Sequence, residues 1–185
     1  RMSYEGKTNI PAQKARKAIA VAAGDGEAGD FTPRTQYGAL CWRRAHGTAE
    51  IEVLLVTSRE TGRWIIPKGW PIKGLGPSET ALQEAYEEAG VNGKVSEACA
   101  GLYSYIKLLG PQRANEVPCV VAVYPIRVSK LVDDFPEREE RRRRWFSPKK
   151  AAQKVDEPEL RALLREFPEV LGKTGEKASG SKKAS

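Results

Sequence analysis

No run of apolar residues in this 185-residue chain approaches the ~20 needed to cross a bilayer. The first thirty residues also lack the continuous apolar core of a secretory leader. Both absences argue against a membrane protein. Cysteine is scarce: Cys41, Cys99 and Cys119 are odd in number and widely spaced, which argues against a disulfide framework and against a zinc site. Cys41 and Cys119 lie in apolar runs and read as reduced core thiols of a cytoplasmic protein. His46 is the only histidine, in a turn-like AHGT segment, and reads as an exposed residue rather than a catalytic one. Positive charge is missing where it would be most useful, since no lysine or arginine lies between positions 74 and 93.

What is present suggests one domain with two tails. The net charge is +7. Residues 1–30 contribute +1 and residues 172–185 contribute +3, so the remaining +3 belongs to residues 31–171. That balance gives no reason by itself to expect nucleic acid. Residues 1–30 read as a mobile extension, with a short helix possible at 14–23. Residues 172–185 read as a disordered basic tail. Arg1, ahead of Met2, is left out of the fold reading. Between the tails, Tyr37–Arg44 and Glu50–Ser58 form a hairpin pattern, and Arg63–Pro67 a short strand. Val91–Leu109 and Val117–Val128 read as strands joined by GPQRAN, and Arg144–Phe146 as a last strand. Ser78 is read as the cap of a helix ending at Ala89 with Gly90 beyond it. Ser147 and Asp156 cap two more helices, through Lys154 and Phe167. Strands mixed with helices, without regular alternation, predict an α/β sandwich around a mixed sheet.

The segment PKGWPIKGLGPSETALQEAYEEAGV, residues 67–91, carries the chemistry. Glu84, Glu87 and Glu88 are three and four residues apart, so they share one helical face. Like charges at that spacing destabilise a bare helix by roughly a few tenths of a kcal/mol per pair. A divalent, oxygen-seeking cation turns the repulsion into attraction, and clustered carboxylates suit Mg²⁺ or Mn²⁺. Leu82 and Ala85 can pack the opposite face on a sheet. Lys68, with glycine backbone at Gly69, offers a place where a phosphate chain can approach closely. On spacing alone a solvated acidic face is the better reading; the tight Pro-Lys-Gly loop and the closing glycine shift the balance to a polyphosphate site.

This segment resembles the signature of the Nudix hydrolase family. Gly69, Glu84, Ala85, Glu87, Glu88, Gly90 and Val91 fall on the family's pattern with no insertion or deletion. Two positions depart: Leu75 stands where the family has its first glutamate, and Gln83 where it has an arginine. Glutamine can still hydrogen-bond a carboxylate but cannot neutralise it. The resemblance implies a Nudix-type α/β/α sandwich around a mixed β-sheet, with a loop-helix-loop catalytic motif. It implies Mg-dependent cleavage of phosphoanhydride bonds, with Mg²⁺ (or Mn²⁺) held by Glu84, Glu88, Glu87 and the Gly69 carbonyl. It leaves open which carboxylate is the base.

TSRETGRWIIPKG (57–69) and RRRRWFSPKKAAQKV (141–155) extend the likeness to enzymes acting on diphosphoinositol and diadenosine polyphosphates. Such anionic substrates need several cations around the metal centre. Lys68, Gly69, Arg59, Arg142, Arg144 and Arg34 are the candidates, Arg142 and Arg144 sharing one face of an extended run and Arg141 and Arg143 the other. Glu137, Glu139 and Glu140 could instead pair with that run. Val117 and Pro118 occupy a strand start where the inositol enzymes carry a base, which weakens that assignment more than the dinucleotide one. Trp64 reads as core; Trp70 could stack on a base or simply pack. The alternatives are a pyrophosphohydrolase of nucleoside triphosphates or of RNA 5′ ends, and a non-hydrolysing nucleotide-binding module. The partner implied is a small polyphosphate; the oligomeric state is not legible.

Overall fold

Alternation along the strands builds two hydrophobic layers. In β1 (Arg34–Arg44), Ala39 and Cys41 enter one core, while Leu40 and Trp42 enter the other. In β2 (Ile51–Thr57), Leu54 and Val56 join the first, and Val53 and Leu55 the second. A sheet buried on both faces needs helices on both, since successive side chains point to opposite sides. The computed structural model, which describes residues 32–109 and 115–179, shows that arrangement.

The remaining strands are β3 (Trp64–Ile65), β4 (Lys68–Gly69), β5 (Val91–Val95), β6 (Gly101–Leu109), β7 (Asn115–Leu131) and β8 (Arg143–Phe146). β1 runs parallel to β7 and antiparallel to β2 and β4. β3 and β8 pair antiparallel with β2. β5 and β6 pair antiparallel with β7, end to end along the edge that β1 leaves free. Helix α1 (Pro77–Ala89) covers one face through Ala81, Ala85 and Ala89. Helices α2 (Pro148–Lys154) and α3 (Pro158–Ser179) cover the other. In α3, Leu160, Leu164 and Phe167 form the stripe, each burial contributing about 1.5–3 kcal/mol. The mixed sheet and its α/β/α layering are as expected.

Several boundaries differ from the sequence reading. The expected strand 91–109 is two, because Ser96 turns the chain: its hydroxyl accepts from the Ala98 amide at 3.2 Å. Ser78 is not the cap of α1. Gly76 is, with Pro77 at the first helical position, where a missing N–H costs nothing. Glu79 accepts from the Gly76 amide at 2.7 Å, and the Gly76 carbonyl accepts from Thr80 at 2.8 Å. Ser147 does cap α2. Glu157, not Asp156, supplies the first carbonyl of α3, accepting from the Arg161 amide at 3.0 Å. That helix continues past Phe167, through Pro168, because Leu171 packs on the same core. Its backbone is helical to Ser179, into the segment read as a disordered tail. Residues 180–185, the extension with its possible helix at 14–23, and most of GPQRAN lie outside the described residues. Trp64 is core as expected, its ring 5.2 Å from that of Phe146, edge to face. His46 is exposed in the β1–β2 turn.

Gly90 ends α1 with φ +64°, and a Cβ there would lie 2.5 Å from the Val132 carbonyl oxygen. Gly47 has φ +75° but nothing within 4 Å. Gly47→Ala is therefore expected to cost only the backbone term, about 1 kcal/mol, and Gly90→Ala about 2–3 kcal/mol or more. Thermal melts check this: Gly90→Ala should lower Tm by roughly 4–10 °C and Gly47→Ala by half that or less.

Candidate active site

The three alanines of α1 let its backbone sit close to the sheet and turn Glu84, Glu87 and Glu88 toward one cleft of about 590 Å³. The facing wall is the start of the glycine–proline loop, Lys68–Ile72, together with Tyr105–Leu108 of β6. The β7–β8 connection closes the acidic end with Glu137 and Arg141.

A Cβ on Gly69 would fall on the Glu84 carboxylate, so any larger residue there must displace that side chain from its place. Glu88 is 5% exposed; its Oε1 accepts from Arg141 Nη2 at 2.5 Å and its Oε2 from the Lys68 backbone amide at 3.3 Å. Glu87 accepts from Gln83 Nε2 at 2.6 Å, so the glutamine at the family's arginine position does orient a carboxylate. Glu137 accepts from Arg141 Nε at 2.5 Å, and its own amide donates to the Glu87 carbonyl at 3.0 Å. Glu84 accepts no hydrogen bond among the described residues.

Burial, then the charges of Glu88 and Glu87, push Glu84 from 4.5 up to about 7. Burial pushes Glu88 to about 7 as well, although Arg141 and Lys68 pull it down. Burial lowers Lys68 from 10.5 to about 8, with Glu88 opposing and Lys107 reinforcing the shift. Behind the helix, burial and then Glu88 raise the Cys41 thiol, keeping it protonated and inert.

A hard divalent cation fits this donor set: oxygen ligands only, too little positive charge, and one carboxylate without a donor. Glu84, Glu87 and Glu88 are the residues that would hold it, beside the Gly69 backbone. Among the described residues no three such side chains stand as a finished metal shell, because Glu88 is turned to Arg141 and Glu87 to Gln83.

Of the other residues anticipated from sequence, Lys68 and Arg59 line the cleft. Arg59 is paired with Glu137 and Glu140, each at 3.4 Å. Arg34 stands beside the lining, its guanidinium 4.1 Å over the Trp70 ring. Arg142 and Arg144 are exposed and are not part of the lining; the opposite pair turns inward. Arg141 meets the glutamates, and Arg143 donates to the carbonyls of Ala89 and Val132 at 2.7 and 2.6 Å. Sequence reasoning also passed over Glu137 as a site residue, Arg63 and Lys107. All three line the cleft. Arg63 is held at 2.8 Å by Glu157, and Lys107 lies 5.2 Å from the Trp70 ring.

The family comparison matches residues 33–167 to the NUDIX domain. The chain belongs to the Nudix family. Nudix hydrolase 21, chloroplastic, of Arabidopsis thaliana is 32% identical over 137 residues, covering 72% of this chain and 66% of that protein. Human diphosphoinositol polyphosphate phosphohydrolase 3-alpha is 37% identical over 111 residues, covering 58% and 60%. The chain thus spans 60% to 66% of the length of these curated relatives. A C. elegans Ap4A hydrolase binary complex shares the fold, with a TM-score of 0.55 at 21% identity over 75% of this chain and 98% of that one.

Glu84 and Glu88 bind their protons more tightly in the folded Nudix domain than in the unfolded chain. Their stabilising contribution is full below pH 4.5 and is lost as pH rises through about 7. In chelator, the Tm difference between Glu84→Gln and the wild type should therefore move in favour of the variant over that window. A difference that stays constant across it contradicts the assignment.

Proposed function

We propose that this Nudix domain is a Mg²⁺-dependent pyrophosphohydrolase that cleaves phosphoanhydride bonds, with dinucleoside polyphosphates as its preferred substrate class. One observation carries the reading: a single cleft is acidic at one end and cationic and aromatic at the other. Glu84, Glu87, Glu88 and Glu137 form the first end. Lys68, Lys107, Trp70 and Tyr105 form the second. Among the described residues, Lys68 and Lys107 are the lining cations without an ion pair; Arg59, Arg63 and Arg141 are each held by carboxylates.

The division of labour follows from the placement. Lys68 and Lys107 bind and orient non-bridging phosphate oxygens, and the Lys68 ammonium is anchored over the Tyr105 ring at 5.2 Å. Trp70 presents an aromatic surface for a base, with Arg34 stacked on it. Glu84, Glu87 and Glu88 would hold Mg²⁺, which would supply charge neutralisation at phosphorus and a more acidic water. The carboxylates of that end are placed to accept the proton of the attacking water.

Two free lining cations suit a linear phosphate chain better than a ring crowded with phosphates. The inositol reading rests on the relatives; Arg142 and Arg144, exposed and outside the lining, add no cation to the cleft. A cytoplasmic location is part of the proposal, the three free thiols staying reduced there.

With Mg²⁺, a panel of diadenosine polyphosphates, diphosphoinositol polyphosphates, nucleoside triphosphates and 5′-triphosphate RNA should show fastest turnover of the first class. Glu88→Gln should lower kcat by about two to four orders of magnitude without altering the fold. Lys107→Ala should raise KM about tenfold with kcat little changed. Nucleotide binding without turnover of any substrate would replace the enzyme with a sensor, and near-normal activity of Glu88→Gln would remove the metal assignment.

A further inference from the structure

α1 carries no basic residue in its last turn, and the family's arginine position holds Gln83. Yet a cation is present, supplied from outside the loop-helix-loop motif. Arg141 comes from the β7–β8 connection, and its side chain is 5% exposed. Three acceptors surround it. Nη1 donates to the Thr57 carbonyl at 2.9 Å, Nε to Glu137 and Nη2 to Glu88. A guanidinium so placed spends its planar fork on two carboxylates and one carbonyl at once, which lysine cannot do.

The contact with Glu88 is made on the oxygen that points away from the Lys68 amide, so both oxygens of Glu88 are occupied. Glu84 is the only carboxylate of the cluster left without any donor in the described residues. A divalent cation held by all three glutamates must therefore share a Glu88 oxygen with Arg141 or with the Lys68 amide.

We propose that Arg141 is the built-in counter-cation of the metal-free site, a positioning residue that holds Glu88 and Glu137 together and competes with the divalent cation for Glu88. It rests on the metal reading above. Without Arg141, four carboxylates would face one another in a half-buried cleft. With it, the cluster is partly neutralised and Glu88 is pre-oriented, and the metal affinity is lower than the glutamates alone would give.

A residue with a merely structural role lowers Tm equally with and without metal. A counter-cation does not. Calorimetric titration of chelator-stripped protein with Mn²⁺ should show Arg141→Gln binding about tenfold more tightly than wild type, the order expected for removing one positive charge a few ångströms from a divalent ion. Tm without metal should fall, and the rise in Tm on adding saturating Mn²⁺ should be larger than for wild type. Arg141→Met, which keeps the length but loses the charge, serves if the glutamine variant does not fold: its metal-free Tm should fall and its metal-induced rise should again exceed that of wild type. Unchanged or weaker Mn²⁺ binding in both variants, or equal Tm losses with and without metal, overturns the role of Arg141 alone. A wild-type protein that binds no Mn²⁺ overturns the metal reading and this inference together.

Discussion

Four carboxylates packed around one end of a cleft set the terms for the rest of this structure. Glu84, Glu87 and Glu88 repel one another along α1, and Glu137 adds a fourth charge from beside the end of that helix. Burial makes the repulsion worse, because low dielectric strengthens every interaction between charges. The helix must therefore be held by something other than its own charge pattern. Ala81, Ala85 and Ala89 hold it from behind, by packing closely on the sheet. Gly69 holds it in front, by leaving the space that the Glu84 carboxylate fills.

The C-terminal end of α1 is fastened just as firmly, and to the same connection that closes the cleft. A helix end carries partial negative charge and unpaired carbonyls. Here the Gly90 carbonyl accepts from the Val132 amide at 2.9 Å, the Glu87 carbonyl from the Glu137 amide, and the Ala89 carbonyl from Arg143. One segment thus satisfies the helix end and delivers Glu137 and Arg141 to the acidic face. The cleft and the helix cap cannot be altered separately.

The layering and the acidic face were legible in the sequence because they depend on local pattern. Unbroken apolar runs along β1 and β2 suit strands buried on both faces, and spacings of three and four place the glutamates together. Partners brought by long-range packing were not legible. Nothing local ties Lys107 of β6 to Trp70, or Arg141 to Glu88, fifty-three residues away. The arginine run shows the limit clearly. Alternation sorts it into two pairs but does not say which pair faces inward. Phe146 carried that information: it precedes the Ser147 cap of α2 and packs in the α2–α3 layer, whereas Trp145 packs in the α1 layer. Arg144 shares the face of Phe146, so Arg143 and the residues in phase with it belong to the α1 side. Reading the parity from the aromatic pair would have selected Arg141 over Arg142.

One of the two departures from the family pattern then has a physical account. Gln83 is spent on Glu87 and brings no charge to the helix, while Leu75, exposed in the loop, removes a carboxylate rather than a cation. Neutralisation has moved from the motif to the β7–β8 connection. A cation on the helix itself would be present whenever the helix forms. A cation on a distant connection is present only when β8 is paired with β2 and the Thr57 carbonyl and hydroxyl are in place to receive Arg141 and the Arg142 amide. The acidic cluster is therefore stable only in the fully assembled sheet, and the order of the site is bound to the order of the domain rather than to the helix that carries the ligands.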